Sequence, residues 1–133
     1  MIKYIIDTHA LIWFIEGNPK LGSNAQVILA DTASQLILPV IVLAEAVWIV
    51  EKGKTSIPSV SDLLNVINND SRIMIYPLDQ SIIIKSAYIQ EIKEMHDRQI
   101  VATALLIQDK GEKIALLSCD LNIAASKLLT IIW

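Results

Sequence analysis

Apolar and polar residues alternate along this chain in blocks whose lengths fit strands and helices in turn. Short, largely apolar runs predict buried strands at residues 2–6, 36–38, 73–76 and 114–117, with a candidate fifth strand at 129–132. The longer stretches between them carry helix start and stop signals and predict helices at 8–16, 23–33, 39–52, 59–68, 79–93, 96–110 and 121–127. Apolar strands that alternate with helices indicate a parallel sheet covered on both faces. We therefore predict a three-layer α/β/α fold with four to five parallel strands.

Glycine and proline, four of each, fall where these elements should end. Gly17 and Pro19 stop the first helix, Pro39 opens the long third helix, and Gly53 closes it. Gly111 ends the helix before the fourth strand. No internal repeat or linker interrupts the 133 residues, so we expect one domain over residues 1–133.

The composition excludes several classes of protein. Hydrophobic residues make up 53% of the chain and charged residues 19%, which argues against disorder. No apolar run is long enough to cross a bilayer, and the run at 2–6 is too short for the apolar part of a secretory signal. Cys119 is the only cysteine, so no intrachain disulfide is possible. We expect a cytoplasmic protein without a membrane partner. The net charge of −3 gives no basic surface of the kind expected for a nucleic-acid binder.

Two acidic residues directly follow predicted strands. Asp7 comes after the first strand, and Asp120 comes three residues beyond the end of the fourth. Ligands of open parallel sheets bind beyond the carboxyl ends of the strands, which is where both carboxylates should lie. Each could instead serve as a helix N-cap, and the two roles can coexist.

Two further acids lie on predicted helices. Glu45 is flanked by ten apolar residues, five on each side. A helix that is hydrophobic all round is expected to be buried, and an unpartnered buried carboxylate is costly. Because no basic residue lies between Lys20 and Lys52, we favour a metal ion as the partner of Glu45 over a distant Lys or Arg, or protonation. Asp97 could simply be a favourable charge in the first turn of its helix.

Four stretches together resemble the motifs of PIN-domain nucleases, and the resemblance is closest to VapC-type toxins. In chain order they are Ile5-Ile6-Asp7-Thr8-His9-Ala10-Leu11-Ile12-Trp13, Ala44-Glu45, Asp97-Arg98-Gln99-Ile100-Val101-Ala102-Thr103-Ala104 and Leu117-Ser118-Cys119-Asp120. Their order and spacing fit over the whole chain, and residues 130–133 resemble the usual end of the group.

This resemblance implies a metal-dependent endoribonuclease that leaves a 5′-phosphate. Asp7, Asp97 and Asp120 would be the main ligands of Mg²⁺ or Mn²⁺, and Glu45 would bind directly or through water. Oxygen ligands suit such hard cations. The supporting residues would be Ser118, Thr8, Asn122 and Arg98. Two divalent ions would also place positive charge where the phosphate sits. A cognate antitoxin, whose Arg or Lys enters the acidic cleft, is the implied protein partner.

Some positions depart from the pattern or admit another interpretation. Cys119 occupies a position that is often basic in the group. Asn122 stands where some relatives carry an acid, and this difference affects the second metal position. A zinc site from His9, His96 and Cys119 lacks the usual short ligand spacing. Arg98 could contact substrate phosphate or only solvate the start of its helix. The three tryptophans are expected in the core or at an interface.

Other functions remain open. A receiver-like regulatory module would need paired acids after the first strand, where Asp7 stands alone. A PIN-like module that only binds a partner is disfavoured because all four acids are retained. We also expect a homodimer, because a small chain this apolar has more apolar surface than one core hides. Residues 82–92 and the first helix, with Trp13 and Phe14, are the candidate interface.

Overall fold

The structure, a computed structural model, describes residues 1–133. Five strands form the sheet: β1 (Ile2–Ile6), β2 (Gln35–Pro39), β3 (Ile73–Tyr76), β4 (Lys113–Leu117) and β5 (Ile131–Ile132). Seven helices connect them: α1 (Thr8–Glu16), α2 (Ser23–Ala30), α3 (Val40–Glu51), α4 (Val60–Asn68), α5 (Gln80–Ala87), α6 (Met95–Asp109) and α7 (Leu121–Ser126).

All five strands are parallel and lie in the order β3-β2-β1-β4-β5. The central strand β1 pairs with β2 on one side and with β4 on the other, so that Ile5 lies level with Ile37 and Leu116. These three side chains are at most 1% exposed, as expected for strands covered on both faces. The predicted α/β fold with a central parallel sheet is confirmed.

The direction of the crossovers explains the layers. Parallel crossovers are right-handed, so connections that run from β1 towards β3 lie on one face, and those that run back through β4 to β5 lie on the other. This assigns α1 to α4 to one layer and α5 to α7 to the opposite layer. Helix α3 nevertheless also contacts α6, and this contact brings together the helices that carry Glu45 and Asp97.

The C-terminal residue packs beside the start of α2. Gly22 lies so close to the C-terminal residue that a Cβ atom would stand 2.4 Å from the carbonyl carbon of Trp133. The Trp133 ring packs against Trp13 of α1, with 5.8 Å between ring centroids. This contact holds β5 against the sheet, where Ser118 donates its backbone N–H to the Ile132 carbonyl at 3.2 Å.

Three predictions about helices were wrong. Helix α2 ends at Ala30 instead of continuing to residue 33. Helix α5 ends at Ala87, and the chain turns through residues 88–94. The apolar spacing of this stretch suggested a longer helix because Ile89 and Ile92 are both buried, although they lie in the turn and not in α5. Nor is α3 buried all round, since the Trp48 side chain on it is 61% exposed.

None of the seven helices combines the length and the apolar character that crossing a bilayer requires.

Candidate active site

The strand ends of β1 and β4 hold the first carboxylate rigidly. Asp7 is 8% exposed, and its backbone N–H donates to the Leu117 carbonyl at 3.1 Å, extending the pairing of the two strands by one residue. Its Oδ1 accepts the Thr8 backbone N–H at 2.7 Å, and its Oδ2 accepts the hydroxyl of buried Ser118 at 2.6 Å. Both oxygens of Asp7 are therefore oriented by the fold.

The same serine links Asp7 to Asp120. The Asp120 backbone N–H donates to Ser118 Oγ at 3.1 Å, so one hydroxyl serves both acids. Oδ1 of Asp120 caps α7 by accepting the backbone N–H groups of Asn122 and Ile123 at 2.8 and 3.0 Å. Asp7 and Asp120 are thus both helix N-caps and neighbours in one strand-end corner, and the two roles do coexist. Asn122 contributes a backbone N–H here, and the residue itself is exposed.

Asp97 approaches this corner from the first turn of α6. Its backbone N–H donates to the capping carboxylate of Glu94 at 2.8 Å. Burial, followed by the nearby charges of Asp120, Asp7 and Glu94 and a hydrogen bond with Asp120, raises the pKa of Asp97 to about 7. A shift of this size arises because like charges converge in a partly desolvated place. The structure therefore brings Asp97 together with Asp7 and Asp120.

Glu45 reaches the same group of acids from α3. Burial first, and then the charges of Asp7 and Glu94, raise the pKa of its carboxyl, while His96 and the Thr8 hydroxyl act in the opposite direction. Its Oε1 is buried without a hydrogen-bond partner, and so is Oγ1 of Thr8, a residue that is 4% exposed. Although the Thr8 hydroxyl lies near enough to favour the charged form of Glu45, the two groups are not in hydrogen-bond geometry. None of the four ion pairs of the protein includes Glu45, so a distant Lys or Arg does not neutralise it.

Three residues near the acids were not assigned a role from the sequence. Glu94 caps α6 and raises the pKa values of both Glu45 and Asp97, which makes it a fifth acid of the group. His96 Nδ1 lies 3.6 Å from Glu94 Oε1. His9 is exposed beside Asp7 and packs 5.1 Å from the Trp13 ring. Burial raises the pKa of Asp7, and the charge of His9 only partly opposes that shift. Nothing in the sequence singled out Glu94, because it lies in a polar stretch and Glu is not a preferred N-cap.

The remaining candidates have more ordinary surroundings. Arg98 donates its Nε to the carbonyl of Ile92 and so braces the turn between α5 and α6. Cys119 as a whole residue is exposed. Its thiol is partly buried, and this burial, together with the charges of Asp7 and Asp120, raises the pKa of the thiol. A raised pKa disfavours the thiolate that a nucleophile needs, so Cys119 lacks the activation of a catalytic cysteine.

The chemistry of the acids fits a hard divalent cation. Carboxylate oxygens are the donors that Mg²⁺ and Mn²⁺ prefer. The raised pKa of Asp97 and the unpartnered Oε1 of Glu45 are features that a bound cation would relieve. In their present positions, however, no three His, Cys, Asp or Glu side chains converge closely enough to hold a metal ion.

Comparison with known proteins identifies the fold. One chain of the VapBC2 complex from Rickettsia felis, bound to a DNA fragment from its promoter, matches with a TM-score of 0.70 and 19% identity, covering 99% of this chain and 98% of that chain. DNA-bound VapBC from Salmonella typhimurium matches with a TM-score of 0.67 and 19% identity, over 99% and 98% of the two chains. FitAcB from Neisseria gonorrhoeae matches with a TM-score of 0.66 and 16% identity, over 100% and 97%.

Comparison of the amino-acid sequence identifies the family. No curated protein matches the chain significantly. The family model of the PIN domain matches residues 4–127, a range that contains every acid of the group described above. The chain belongs to the PIN domain family.

Proposed function

We propose that this protein is a divalent-metal-dependent endoribonuclease and the toxin of a toxin–antitoxin pair, acting on RNA in the cytoplasm. The observation that carries the proposal is the convergence of acids from four separate segments of the chain. Burial, together with the charges of the neighbouring acids, raises the pKa of Asp97 to about 7. Such strongly perturbed acids in one place are typical of functional sites.

In this proposal Asp7, Asp97 and Asp120 bind Mg²⁺ or Mn²⁺, with Glu45 as a further ligand or acting through water. When bound, such a cation supplies positive charge to a phosphodiester and activates water for attack. Ser118 and the Thr8 backbone N–H orient the two oxygens of Asp7, and Ser118 also positions Asp120. Because the chain carries a net charge of −3, we expect RNA binding itself to depend on the cation.

Cleavage of a labelled single-stranded RNA by the purified chain tests the nuclease. We expect cleavage with Mg²⁺ or Mn²⁺, products that carry a 5′-phosphate, and no cleavage in excess chelator. Full activity in chelator would contradict metal dependence. If no RNA is cut under any metal condition while a protein partner still binds, the alternative of a binding-only PIN module is favoured.

The proposed toxin role requires an inhibitory partner. The structural relatives include complexes described as VapBC and FitAcB. The acids provide a physical opening for such a partner, because an Arg or Lys that enters among them would gain charge-assisted hydrogen bonds. We expect the product of the adjacent open reading frame to co-purify with the chain and to inhibit cleavage, and excess Mn²⁺ to weaken the inhibition. A neighbour that binds but leaves cleavage intact would contradict the toxin role.

We also propose a homodimer. Within the stretch expected to form the interface, Ile83, Ile84 and Tyr88 are 44%, 54% and 78% exposed. Trp13, in contrast, is partly covered by His9 and Trp133 inside the same chain, which makes α1 the weaker candidate. Light scattering of the wild type and of Ile84→Asp tests this proposal. We expect a dimer that the charged variant dissociates, and a wild-type monomer at micromolar concentration would rule it out.

A further inference from the structure

An open pocket of about 390 Å³ lies directly beside the acids. Its volume is within the range of roughly 300–1,000 Å³ that is usual for small-ligand sites. It shares Glu45 with the acidic group and includes His96 and one face of α3, so that its lining is Glu45, His96, Ile41, Ala44, Trp48 and Ile49. A molecule that fills this pocket would therefore contact Glu45 and an apolar surface.

Trp48 gives this pocket a flat aromatic surface that is open to solvent. Its side chain is 61% exposed, whereas Trp13 and Trp133 pack against each other. The ammonium of Lys52 lies over one face of the Trp48 ring, 4.3 Å from its centroid, so a stacked base would use the other face. An exposed aromatic ring beside a cation is the combination that proteins use to stack single-stranded bases and to contact the adjoining backbone.

The position of Trp48 relative to Glu45 determines which kind of ligand could contact both residues. The two residues are three apart on α3, so they share a face and lie about 4.5 Å apart along the helix axis. A planar group stacked on Trp48 would therefore belong to the part of a substrate that adjoins the acids. The charge along α3 also changes across Trp48, with Glu45 before it and Lys52 after it.

We propose that this pocket binds a base of the RNA substrate beside the bond to be cleaved, with the base against Trp48 and an adjoining phosphate near Lys52. The inference rests on the proposed function in that it takes the substrate to be RNA. It assigns Trp48 and Lys52 to substrate binding rather than to chemistry. A nucleotide, with an aromatic base and an anionic phosphate, matches the aromatic wall and the neighbouring ammonium at once.

Substitutions of Trp48 test the pocket without touching the acids. In the wild-type background, we expect Trp48→Ala to raise the KM for a short single-stranded RNA by about 5- to 100-fold, with kcat changed by less than about threefold. Trp48→Phe keeps a stacking surface and should stay within about fivefold of the wild type. Val27→Ala, which alters a 70% exposed apolar residue on α2, is the matched control and should change neither constant.

Lys52 is tested through the dependence of binding on salt. We expect Lys52→Gln to weaken RNA binding about two- to fivefold and to reduce the slope of log affinity against log salt by about 1. Unchanged affinity and slope in Lys52→Gln would remove the phosphate contact and overturn that part of the proposal.

A binding measurement separates failure of the pocket from failure of the nuclease. In an Asp7→Asn background, which we expect to prevent cleavage, and with excess Mg²⁺ or Mn²⁺ to occupy the remaining acids, the same RNA should quench tryptophan fluorescence, and Trp48→Phe should abolish most of that quenching. If the wild type cuts no RNA, the proposed function fails while this measurement still decides the pocket. The pocket is overturned if Trp48→Ala leaves RNA affinity unchanged, or if quenching persists in Trp48→Phe. It is also overturned if light scattering shows that Trp48→Ala loses affinity by dissociating a dimer, since a second copy would then cover this face.

Discussion

The candidate site has two halves that are built in different ways. In the strand-end half, Asp7 and Asp120 are joined through the hydroxyl of Ser118, and each carboxylate accepts backbone N–H groups at the start of a helix. In the helix-borne half, Glu45 has a buried oxygen without a partner, and the charge of Asp97 is opposed by three other acids.

This difference teaches how a fold can carry several like charges in one place. The strand-end half obtains its order from hydrogen bonds that form when the chain folds, so it is prepared before any ligand arrives. The helix-borne half cannot close on the first without bringing unshielded carboxylates closer together, which costs free energy. We infer that the first half would fix the position of a bound cation and that the cation would lower the cost of keeping the acids of the second half charged.

The largest expected effect comes from removing a charge in the strand-end half. Asp7→Asn should lower cleavage by more than about 100-fold, because a ligand that two donors hold in place is lost. The fold should survive or be stabilised, because burial disfavours the charged form of Asp7 and the amide oxygen can still accept the Thr8 N–H. Cleavage assays and thermal melts measure both effects.

Asp79→Asn is the matched control for this substitution. Asp79 caps α5 by accepting the Ile82 N–H and lies outside the site. If Asp7→Asn cuts RNA as well as Asp79→Asn does, Asp7 has no part in catalysis and the strand-end half is only structural.

Removing the linking hydroxyl sharpens the comparison. Ser118→Ala leaves Oδ2 of Asp7 buried without its donor, so we expect a loss of about 1–3 kcal/mol in the free energy of unfolding. Cleavage should fall about 10- to 100-fold, since Asp7 and Asp120 lose a common anchor. Ser86→Ala is the control, because that buried hydroxyl only donates to the Ile83 carbonyl of its own helix. Equal effects of the two substitutions on cleavage would argue against a positioning role for Ser118.

The helix-borne half should respond to pH. The pKa of Asp97 is raised to about 7 in the folded protein. Between the ordinary pKa of an Asp side chain and pH 7, the folded protein therefore binds a proton that the unfolded chain has lost. The stability of the metal-free protein should therefore fall as the pH rises from about 5 to 8, and Mg²⁺ or Mn²⁺ should restore it at pH 8. Asp97→Asn should flatten this profile and raise the melting temperature at pH 8 by about 3–5 °C.

The control for this effect is Asp62→Asn, which removes an acid from the first turn of α4, away from the site. It should leave the slope of melting temperature against pH unchanged. A wild-type profile that rises between pH 5 and 8 would contradict the raised pKa of Asp97.

The smallest effect on stability is expected at Thr8. Its Oγ1 has no partner, so Thr8→Val should change the free energy of unfolding by less than about 1 kcal/mol. Cleavage should nevertheless fall about tenfold if this hydroxyl positions Glu45 or its water, and Thr8→Ser should retain activity. Unchanged cleavage in Thr8→Val would show that the hydroxyl serves neither half of the site.

Local chemistry in the sequence was sufficient for much of the fold. Strands that are covered on both faces are rich in apolar residues, so β1, β2 and β4 could be located from their runs of apolar residues. The rule that parallel strands present their carboxyl ends at one edge also predicted that Asp7 and Asp120 lie near each other.

Prediction failed where a neighbouring segment decided the outcome. The apolar spacing of residues 82–92 fits one helix, yet the chain leaves the helix after Ala87 and buries Ile89 and Ile92 from a turn that Arg98 braces. The all-apolar α3 was expected to be buried, yet its Trp48 face is open. In both places the sequence specifies how much apolar surface exists, but not which element covers it.

The sequence by itself determined the order of strands and helices, the apolar character of the core, and the identities of the four acids later found together. Each of these depends on periodicity, on turn residues or on a carboxylate in an unusual setting, and all are local properties. Only the tertiary structure decided that Glu94 and His96 join the acids, that Ser118 links Asp7 to Asp120, and that Trp48 faces solvent beside Glu45. Those facts depend on how α3, α6 and the strand ends meet, and contacts between segments so far apart in sequence leave no local pattern.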